Sequence, residues 1–500
     1  MTQREQHLSR QLEACQQELA AARRENELLR QKVDLLVRRV FGSSSEQLDR
    51  NQLELLQLPQ SSPQEPPASP EPQKQLRLPL PRRQRAPRLP DNLPVQEEVI
   101  DPEPVKQEPQ AWRCIGQEVS EQLDYEPARF LRRRTIRRKY VHRTNRDAAP
   151  VIADLPERLL DRSLPAPGLL AHILVSKYCD HLPLYRQEHI FLRRHQVHLP
   201  RQTLARWVGL AADWLKPIYQ HIRTGVLGGG YVQVDETPIR YLEPGFGRAR
   251  QGYLWTGNKP GGDVFYHWDT SRSAACLQEI IPAEFRGTLQ CDGFSAYPSF
   301  ANQRSNIRLA GCWAHVRRKF HESLDSCPRT ASWILRQIQN LYRVEAGLRE
   351  QGAGPQLRQA LRASQSRPIV QRIQSALVAL KSSHRHLPQG ALGQAIDYAL
   401  GQWKSLLVYL EDGRIEIDNN LVENAIRPTA IGKKNWLFIG EAAVGQRSAI
   451  IYTIIENCRR RGLDPFGYLR EALTRLPTMT NRQIPEITPE AWSKQRPVAF

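Results

Sequence analysis

Apolar side chains return at alternating steps of four and three residues along the first forty positions. Leu8, Leu12, Cys15, Leu19, Ala22, Leu29, Val33, Leu36 and Val40 share one seam, with Asn26 as its polar member. Such a heptad seam predicts a helix that closes against a partner helix, and an Asn at a core position favours a parallel pair in fixed register. Residues 1–48 therefore read as a coiled-coil oligomerisation helix, ending at Phe41-Gly42-Ser43. The pattern then dissolves. Residues 49–110 contain SSPQEPPASPEPQ and LPLPRRQRAPRLP, a tract too poor in apolar surface to order itself and read as an extended linker.

Alternation with a period of two returns in residues 111–160, around Gln122–Tyr125 and along Arg132–Tyr140, and predicts a small β module. From 161 to 225 the period becomes helical: PGLLAHILVSKYCDHL, PLYRQEHIFLRRHQ and PRQTLARWVGLAADWLKPIY, with Pro183 and Pro200 at two helix starts. The second and third of these, joined by VHLP, have the proportions of a helix-turn-helix, and equally those of a plain scaffold bundle. After Gly228-Gly229-Gly230, strands are expected at YVQVDETP, ending on Asp235 with Thr237-Pro238 turning the chain away, at GYLWTG and at DVFYHW. A helix near Ser273–Ile281 and a strand in GTLQCD ending at Asp292 follow. The stretch 321–410, rich in Leu, Ala, Arg and Gln, reads as helices, 411–445 as a segment carrying one more helix, and 446–500 as helical.

Charge narrows the partner. Lys and Arg number 71 against 52 Asp and Glu, a formal net charge of +19 that attracts a polyanion. Arg132, Arg133, Arg134, Arg137 and Arg138 crowd one segment flanked by Phe130 and Tyr140, suited to a phosphate backbone, though an exposed basic strand looks the same. Arg201, Gln202 and Arg206 open the third helix of the bundle. The eight cysteines form no CxxC pair, as in a reducing compartment, and no stretch has the length and apolarity of a membrane span; a cytoplasmic, nucleoid-associated bacterial protein is expected.

The candidate chemistry lies in carboxylates. Asp235 and Asp292 each close a strand, and strands that bring two carboxylates together need a cation between them. Magnesium or manganese suits such an oxygen site, whereas zinc would look for Cys and His clusters that are absent nearby. The third ligand is sought in EDGRIEIDNNLVENAIRPTAIGKKNWLFIG, where Asp418 is expected to cap a helix with Glu423 on its second turn and Arg427 one turn later, placed to steady Glu423 or to meet phosphate. Glu416, Asp418 and Glu456 are rival third carboxylates. Cys312-x-x-His315 supplies only two ligands, too few for zinc, and reads either as support of the site or as core packing around Trp313.

These segments, YVQVDETP, QCDGFSAY, CWAHVRRKF and the Glu423 segment, with KYCDHLPLYRQE upstream, resemble transposases of the insertion-sequence 66 family, a branch of the DDE transposases. The similarity runs from VRRVFGSSSEQLD through EVSEQLDYEPARF to YLREAL. It implies a multidomain α/β protein: coiled coil, small β module, helical DNA-binding bundle at 161–225, and a ribonuclease-H-like catalytic core at 226–320 and 411–445, split by a helical insertion at 321–410. It implies that Asp235, Asp292 and Glu423 hold two Mg²⁺ (or Mn²⁺) and cut and join DNA. Implied partners are double-stranded element ends and target, a homodimer or higher multimer, and accessory proteins of the same element, with no membrane. DNA contacts are expected from the five arginines of the basic segment, from Arg201, Gln202 and Arg206, and from Arg427, Lys433 and Lys434; Cys312 and His315 are expected to support the active site. One departure stands out: the family's zinc module of two CxxC-like pairs is reduced to Cys114, with Val141-His142-Arg143 where the second pair would fall, so zinc is not expected. A nuclease or resolvase of the same fold, and a DNA-binding repressor without catalysis, are the alternatives.

Overall fold

The computed structural model describes residues 16–17, 130, 139–140, 151–152, 157–159, 164–383 and 385–495. The heptad seam, the proline-rich linker and Arg132–Arg138 lie outside the described residues. Of the chain's two compact units, the smaller, residues 58–138, is described only at Phe130, and every helix and strand named here belongs to the larger. Within it Lys139–Tyr140 and Val151–Ile152 pair antiparallel.

Three helices come first: α1 (Pro167–Tyr178), α2 (Leu184–His195) and α3 (Arg201–Leu227), with Pro167 at the first position of α1 and Pro183 and Pro200 immediately before the other two. A proline costs nothing where the first amides of a helix lack partners. The helix α3 buries Leu204, Ala211, Leu215, Ile218 and Ile222 along one stripe and packs on the sheet that follows. That sheet comprises β1 (Tyr231–Tyr241), β2 (Arg250–Asn258) and β3 (Val264–Asp269), an antiparallel meander; then, after α4 (Ala274–Ile280), β4 (Gly287–Gln290); and, after α5 (Ala296–Ala301), β5 (Ile307–Ala310). Its order is β3-β2-β1-β4-β5, with β4 and β5 parallel to β1. The four-residue β5, IRLA, was not foreseen, because so short a run carries no legible period.

Asp235 does not end its strand. β1 continues to Tyr241, with Pro238 opposite Tyr253. The carbonyl of Pro238 accepts Lys433 Nζ (3.1 Å) instead of bonding to β2. A residue's N and C=O point to the same side of a strand, so the missing amide hydrogen falls on the edge away from β2 and breaks no ladder bond. That edge is paired with β4 only as far as Gln233, and again near its end, where Ile439 N donates to Arg240 O (2.8 Å). Between these points side chains and not a strand meet it: Glu236 N donates to Asp235 Oδ1 (2.9 Å) and Pro238 O accepts Lys433 Nζ.

The chain proceeds through α6 (Trp313–His321), α7 (Pro328–Glu350), α8 (Pro355–Leu361), a π-helical turn at Arg362–Ser366, α9 (Arg367–Ser382), α10 (Ala391–Gly401) and α11 (Trp403–Leu407). These helices enclose their own core, with Trp313, Phe320, Ile338, Leu341, Ile373, Leu377, Leu392 and Trp403 among its buried members. Then come α12 (Asn420–Trp436), α13 (Ala442–Arg460), α14 (Pro465–Arg475) and α15 (Pro489–Gln495). The helix α13 covers the exposed edge of β3: the amides of Val264, Tyr266 and Trp268 donate to Asn457 Oδ1 (3.1 Å), Thr453 Oγ1 (2.9 Å) and Gln446 Oε1 (3.0 Å). Side chains thus satisfy the groups that an edge strand would otherwise leave open to aggregation. None of the helices described is long and apolar enough to cross a membrane.

Candidate active site

The register of β1 against β4 decides the site. Gln233 faces Gln290 across the parallel pair. Asp235 and Asp292 each follow two residues later, and a strand returns its side chains to one face every two residues. The two carboxylates therefore leave neighbouring chains side by side where β4 ends. At the other end of the pair Gly287 lets β4 begin against β1: its φ is +144°, and a Cβ would lie 1.9 Å from Gly230 O. Past Asp292 the chain turns at once, with Phe294 N donating to Asp292 Oδ1 (2.9 Å). Gly293 lies under the Tyr398 ring of α10, so that a Cβ would meet Cε2 at 2.5 Å.

Glu423 arrives from α12. The cap residue of that helix is Asn419, one later than expected, and Glu423 lies in its first turn, not its second. Asp418 still serves the helix start, since its Oδ1 accepts Asn420 N (3.1 Å) and its Oδ2 accepts Tyr342 OH (2.8 Å). Glu423 Oε1 lies 3.7 Å from His315 Nε2, and His315 Nδ1 is buried without a hydrogen-bond partner. No ion pair joins Glu423 to Arg427 among the described residues; its contact there is His315 on α6.

Electrostatics records the convergence. Burial, and then the charges of Glu423, Glu236 and Asp292, push the Asp235 carboxyl well above the usual carboxylate range. Like charges held this close are costly unless a cation neutralises them, and the all-oxygen donor set fits a hard divalent ion. Of the rival carboxylates, Glu416 pairs with Arg358 (2.9 Å) and Arg349 (3.8 Å), Asp418 is buried against Tyr342, and Glu456 pairs with Arg460 (3.5 Å) and Arg459 (3.8 Å) on α13. Cys312 is buried, and burial together with the Asp418 and Glu423 charges pushes its thiol well up, so it stays protonated. Trp313 belongs to the helical core: it stacks edge-on against Trp403 and donates to Leu406 O (3.1 Å).

Two supporting networks escaped the sequence reading. On the face opposite Asp235, Glu236 has a fully buried side chain that accepts Arg272 Nε (2.5 Å) and Tyr297 OH (2.6 Å). Arg272 in turn lies 3.8 Å over the Phe294 ring, which braces the turn carrying Asp292. Beneath the carboxylates runs a buried amide ladder. Gln290 Oε1 accepts Tyr231 OH (2.5 Å) and Gln233 Nε2 (2.9 Å), while Gln290 Nε2 donates to Gly311 O (3.1 Å) and Glu416 O (2.8 Å). Gln233 Nε2 also reaches Asp418 O (3.0 Å). The ladder fastens the segment entering α12 onto β1 and β4. Its signal in the sequence was a glutamine two residues before each aspartate. Gln290→Leu keeps the volume but strands several buried polar groups, so it should cost about 2–4 kcal/mol in urea unfolding. A loss below about 1 kcal/mol would show that water replaces the amide.

Asp418 supplies a pH signature. Burial, the largest influence, raises its carboxyl to about 6. The folded state thus holds the proton more tightly than the unfolded chain, whose Asp titrates near about 3.9. Stability from this group is present below about pH 4 and falls as pH rises to about 6. Asp418→Asn should erase that decline in a series of denaturant melts; a decline of equal size in the variant would assign it elsewhere.

Arg201, Gln202 and Arg206 are exposed on the first turns of α3, and Lys434 is exposed near the end of α12. Lys433 is tethered to β1 through Thr237 Oγ1 (3.3 Å) and Pro238 O. Away from the carboxylates, His267, Asp269 and Glu279 bring three ligand atoms within 4.8 Å of one another, with the Arg223 charge beside the imidazole.

The family described as "Transposase IS66 family" matches residues 162–447, and "Transposase C of IS166 homeodomain" matches residues 28–97. Two proteins of Sinorhizobium fredii (strain NBRC 101917 / NGR234) are similar. "Uncharacterized protein y4qI" is 37% identical over 76% of this chain and 72% of its own. "Uncharacterized protein y4jD" is 34% identical over 81% of each. The chain belongs to the IS66 family of transposases.

Proposed function

We propose that the protein is a DDE transposase that cuts DNA at the ends of its mobile element and joins the freed ends to target DNA. The observation that supports this reading most is the register that sets Gln233 opposite Gln290, which brings Asp235 and Asp292 to the same end of the β1–β4 pair, with Glu423 on α12 close enough for its charge to raise the Asp235 carboxyl. A five-stranded mixed sheet, three antiparallel strands followed by two parallel ones, with the third acidic group on a helix behind a helical insertion, supports a ribonuclease-H-like core.

Asp235, Asp292 and Glu423 would hold two Mg²⁺ (or Mn²⁺), which when bound activate a water for in-line attack on the phosphodiester and stabilise the departing 3′ oxygen. The protein's part is placement. The Gln233–Gln290 pairing sets the two aspartates in register, the amide ladder sets the start of α12, and His315 steadies the Glu423 carboxylate. Cys312, a neutral buried thiol, fills space behind it. Arg201, Gln202, Arg206, Arg427 and Lys434 are proposed to meet DNA, together with the basic segment Arg132–Arg138; the heptad seam is proposed to join copies of the chain. No protein nucleophile is required, because the DNA 3′-hydroxyl made by the first cut attacks in the second step. The test is incubation with Mg²⁺ and labelled DNA carrying the element's ends, resolved on a gel. Cleaved ends joined to target support the reading, cleavage without joining makes the protein a nuclease, and binding without cleavage makes it a repressor.

A further inference from the structure

Large apolar side chains are exposed at one place where two elements leaving the candidate active site come together. The hairpin between β1 and β2 carries Leu242 and Phe246 at 39% and 46% exposure, and the end of α12 carries Leu437 and Phe438 at 65% and 41%. The two pieces are fastened to each other: Leu242 N donates to Gly440 O (2.9 Å), and Tyr241 bridges Ile439 in parallel. Apolar side chains grouped on a surface in this way mark an interaction site.

The backbone is strained to present them. Leu437 has φ +63° and ψ −43°, a left-handed conformation that a bulky residue rarely adopts, and Phe438 N donates back to Trp436 O (2.7 Å) across it. This is a positive-φ γ-turn, and strain of this kind persists where a site uses it. Cations surround the patch. The guanidiniums of Arg250 and Arg248 lie 4.8 and 5.7 Å from the Phe246 ring centroid, and Arg240 and Lys434 are exposed nearby in sequence, with Glu243 and Glu441 as the acidic neighbours. Glu243 pairs with Arg250.

Distance along both elements fixes where the patch lies. From Asp235 to Tyr241 the strand advances about 20 Å. From Glu423 to Leu437 the helix advances about 21 Å. A duplex rises about 3.4 Å per base pair, so the separation is about six base pairs.

We infer that this lip is a DNA-docking wedge, in which Phe246, Leu437 and Phe438 press against sugars and base edges of the duplex about six base pairs from the cleaved phosphate. Arg248 and Arg250 hold the adjoining phosphates. The inference rests on the transposase reading and adds a second contact zone to it. Apolar wedges flanked by cations suit DNA because they trade base stacking for contact with a bent groove.

The test uses the full chain, labelled element-end DNA, hydroxyl-radical footprinting and mobility shift across a salt series. Phe246→Ala should lose the protection about six base pairs from the cut and bind roughly tenfold more weakly, with its salt slope unchanged because no charge is removed. The double change Arg248→Gln and Arg250→Gln should flatten that slope by about two. Leu437→Gly separates function from folding: glycine accepts the positive φ, so the melting temperature should hold or rise while DNA affinity falls. Unchanged footprint and affinity in these variants overturn the wedge, provided the wild type binds. An unchanged footprint with a lower mass in light scattering also overturns it and makes the patch a contact between copies. A wild type that neither binds nor cuts the ends defeats the transposase reading instead.

Discussion

Asp235→Ala, Asp292→Ala and Glu423→Ala should each abolish cleavage and joining of element-end DNA while leaving its binding within a few-fold of wild type. Each change removes an oxygen donor from a site whose chemistry depends on bound divalent ions, and such losses cost orders of magnitude in rate. Binding should hold or tighten slightly, because an acidic group near phosphate repels it. Glu456→Ala is the control: its carboxylate is engaged by Arg459 and Arg460 on α13, and cleavage should persist. A cleavage gel beside a mobility-shift gel on the same DNA reads both quantities. Should Glu423→Ala cut while Glu456→Ala does not, the third carboxylate has been misassigned. Loss of binding together with cleavage in all three variants would instead point to misfolding, which circular dichroism resolves.

Arg362→Ala should destabilise the protein by about 3–5 kcal/mol, the range for breaking a buried charge pair from one side. Arg362 is fully buried at the π-helical turn, where its Nε and Nη2 donate to the two Glu345 carboxylate oxygens (2.7 Å each). Its Nη1 donates to Tyr409 O (2.7 Å) and Ile415 O (2.8 Å). One guanidinium thus joins α7 to the segment that runs into Glu416, Asp418 and the start of α12. Removing it leaves the buried Glu345 carboxylate with the longer Arg358 contact (3.4 Å) as its remaining ion pair among the described residues and frees the carbonyls of Tyr409, Asp412 and Ile415. The double change Arg362→Met with Glu345→Leu should recover much of the loss, since well-packed apolar groups often replace a buried pair at little cost. Denaturant unfolding of the three proteins checks this; a single variant within about 1 kcal/mol of wild type would mean that Arg358 and entering water compensate Glu345.

The sequence alone determined the elements whose signals are local. Period-two runs marked β1 to β4, prolines marked the starts of α2 and α3, and Ser273 and Ile281 bracketed α4, because alternation, missing amides and caps depend on neighbours a few residues away. The motifs around Asp235, Asp292 and Glu423 were also legible as resembling the family to which the chain belongs. Tertiary structure decided what depends on partners far along the chain. Pro238 looked like a strand end, and only the edge of β1 away from β2, where no described strand pairs with it, shows why the strand runs past it. Asn419, not Asp418, occupies the N-cap position of α12 without a capping bond of its own, while Asp418 accepts both Asn420 N and the hydroxyl of Tyr342, which lies 76 residues earlier. The four-residue β5 exists because β4 offers it an edge, and neither the Glu236–Arg272 pair nor the Gln233–Gln290 ladder has any local periodicity to announce it. Register is the deepest example. Whether Asp235 and Asp292 share a face depends on Gln233 meeting Gln290, and a slip of one residue would turn one carboxylate to the other side of the sheet.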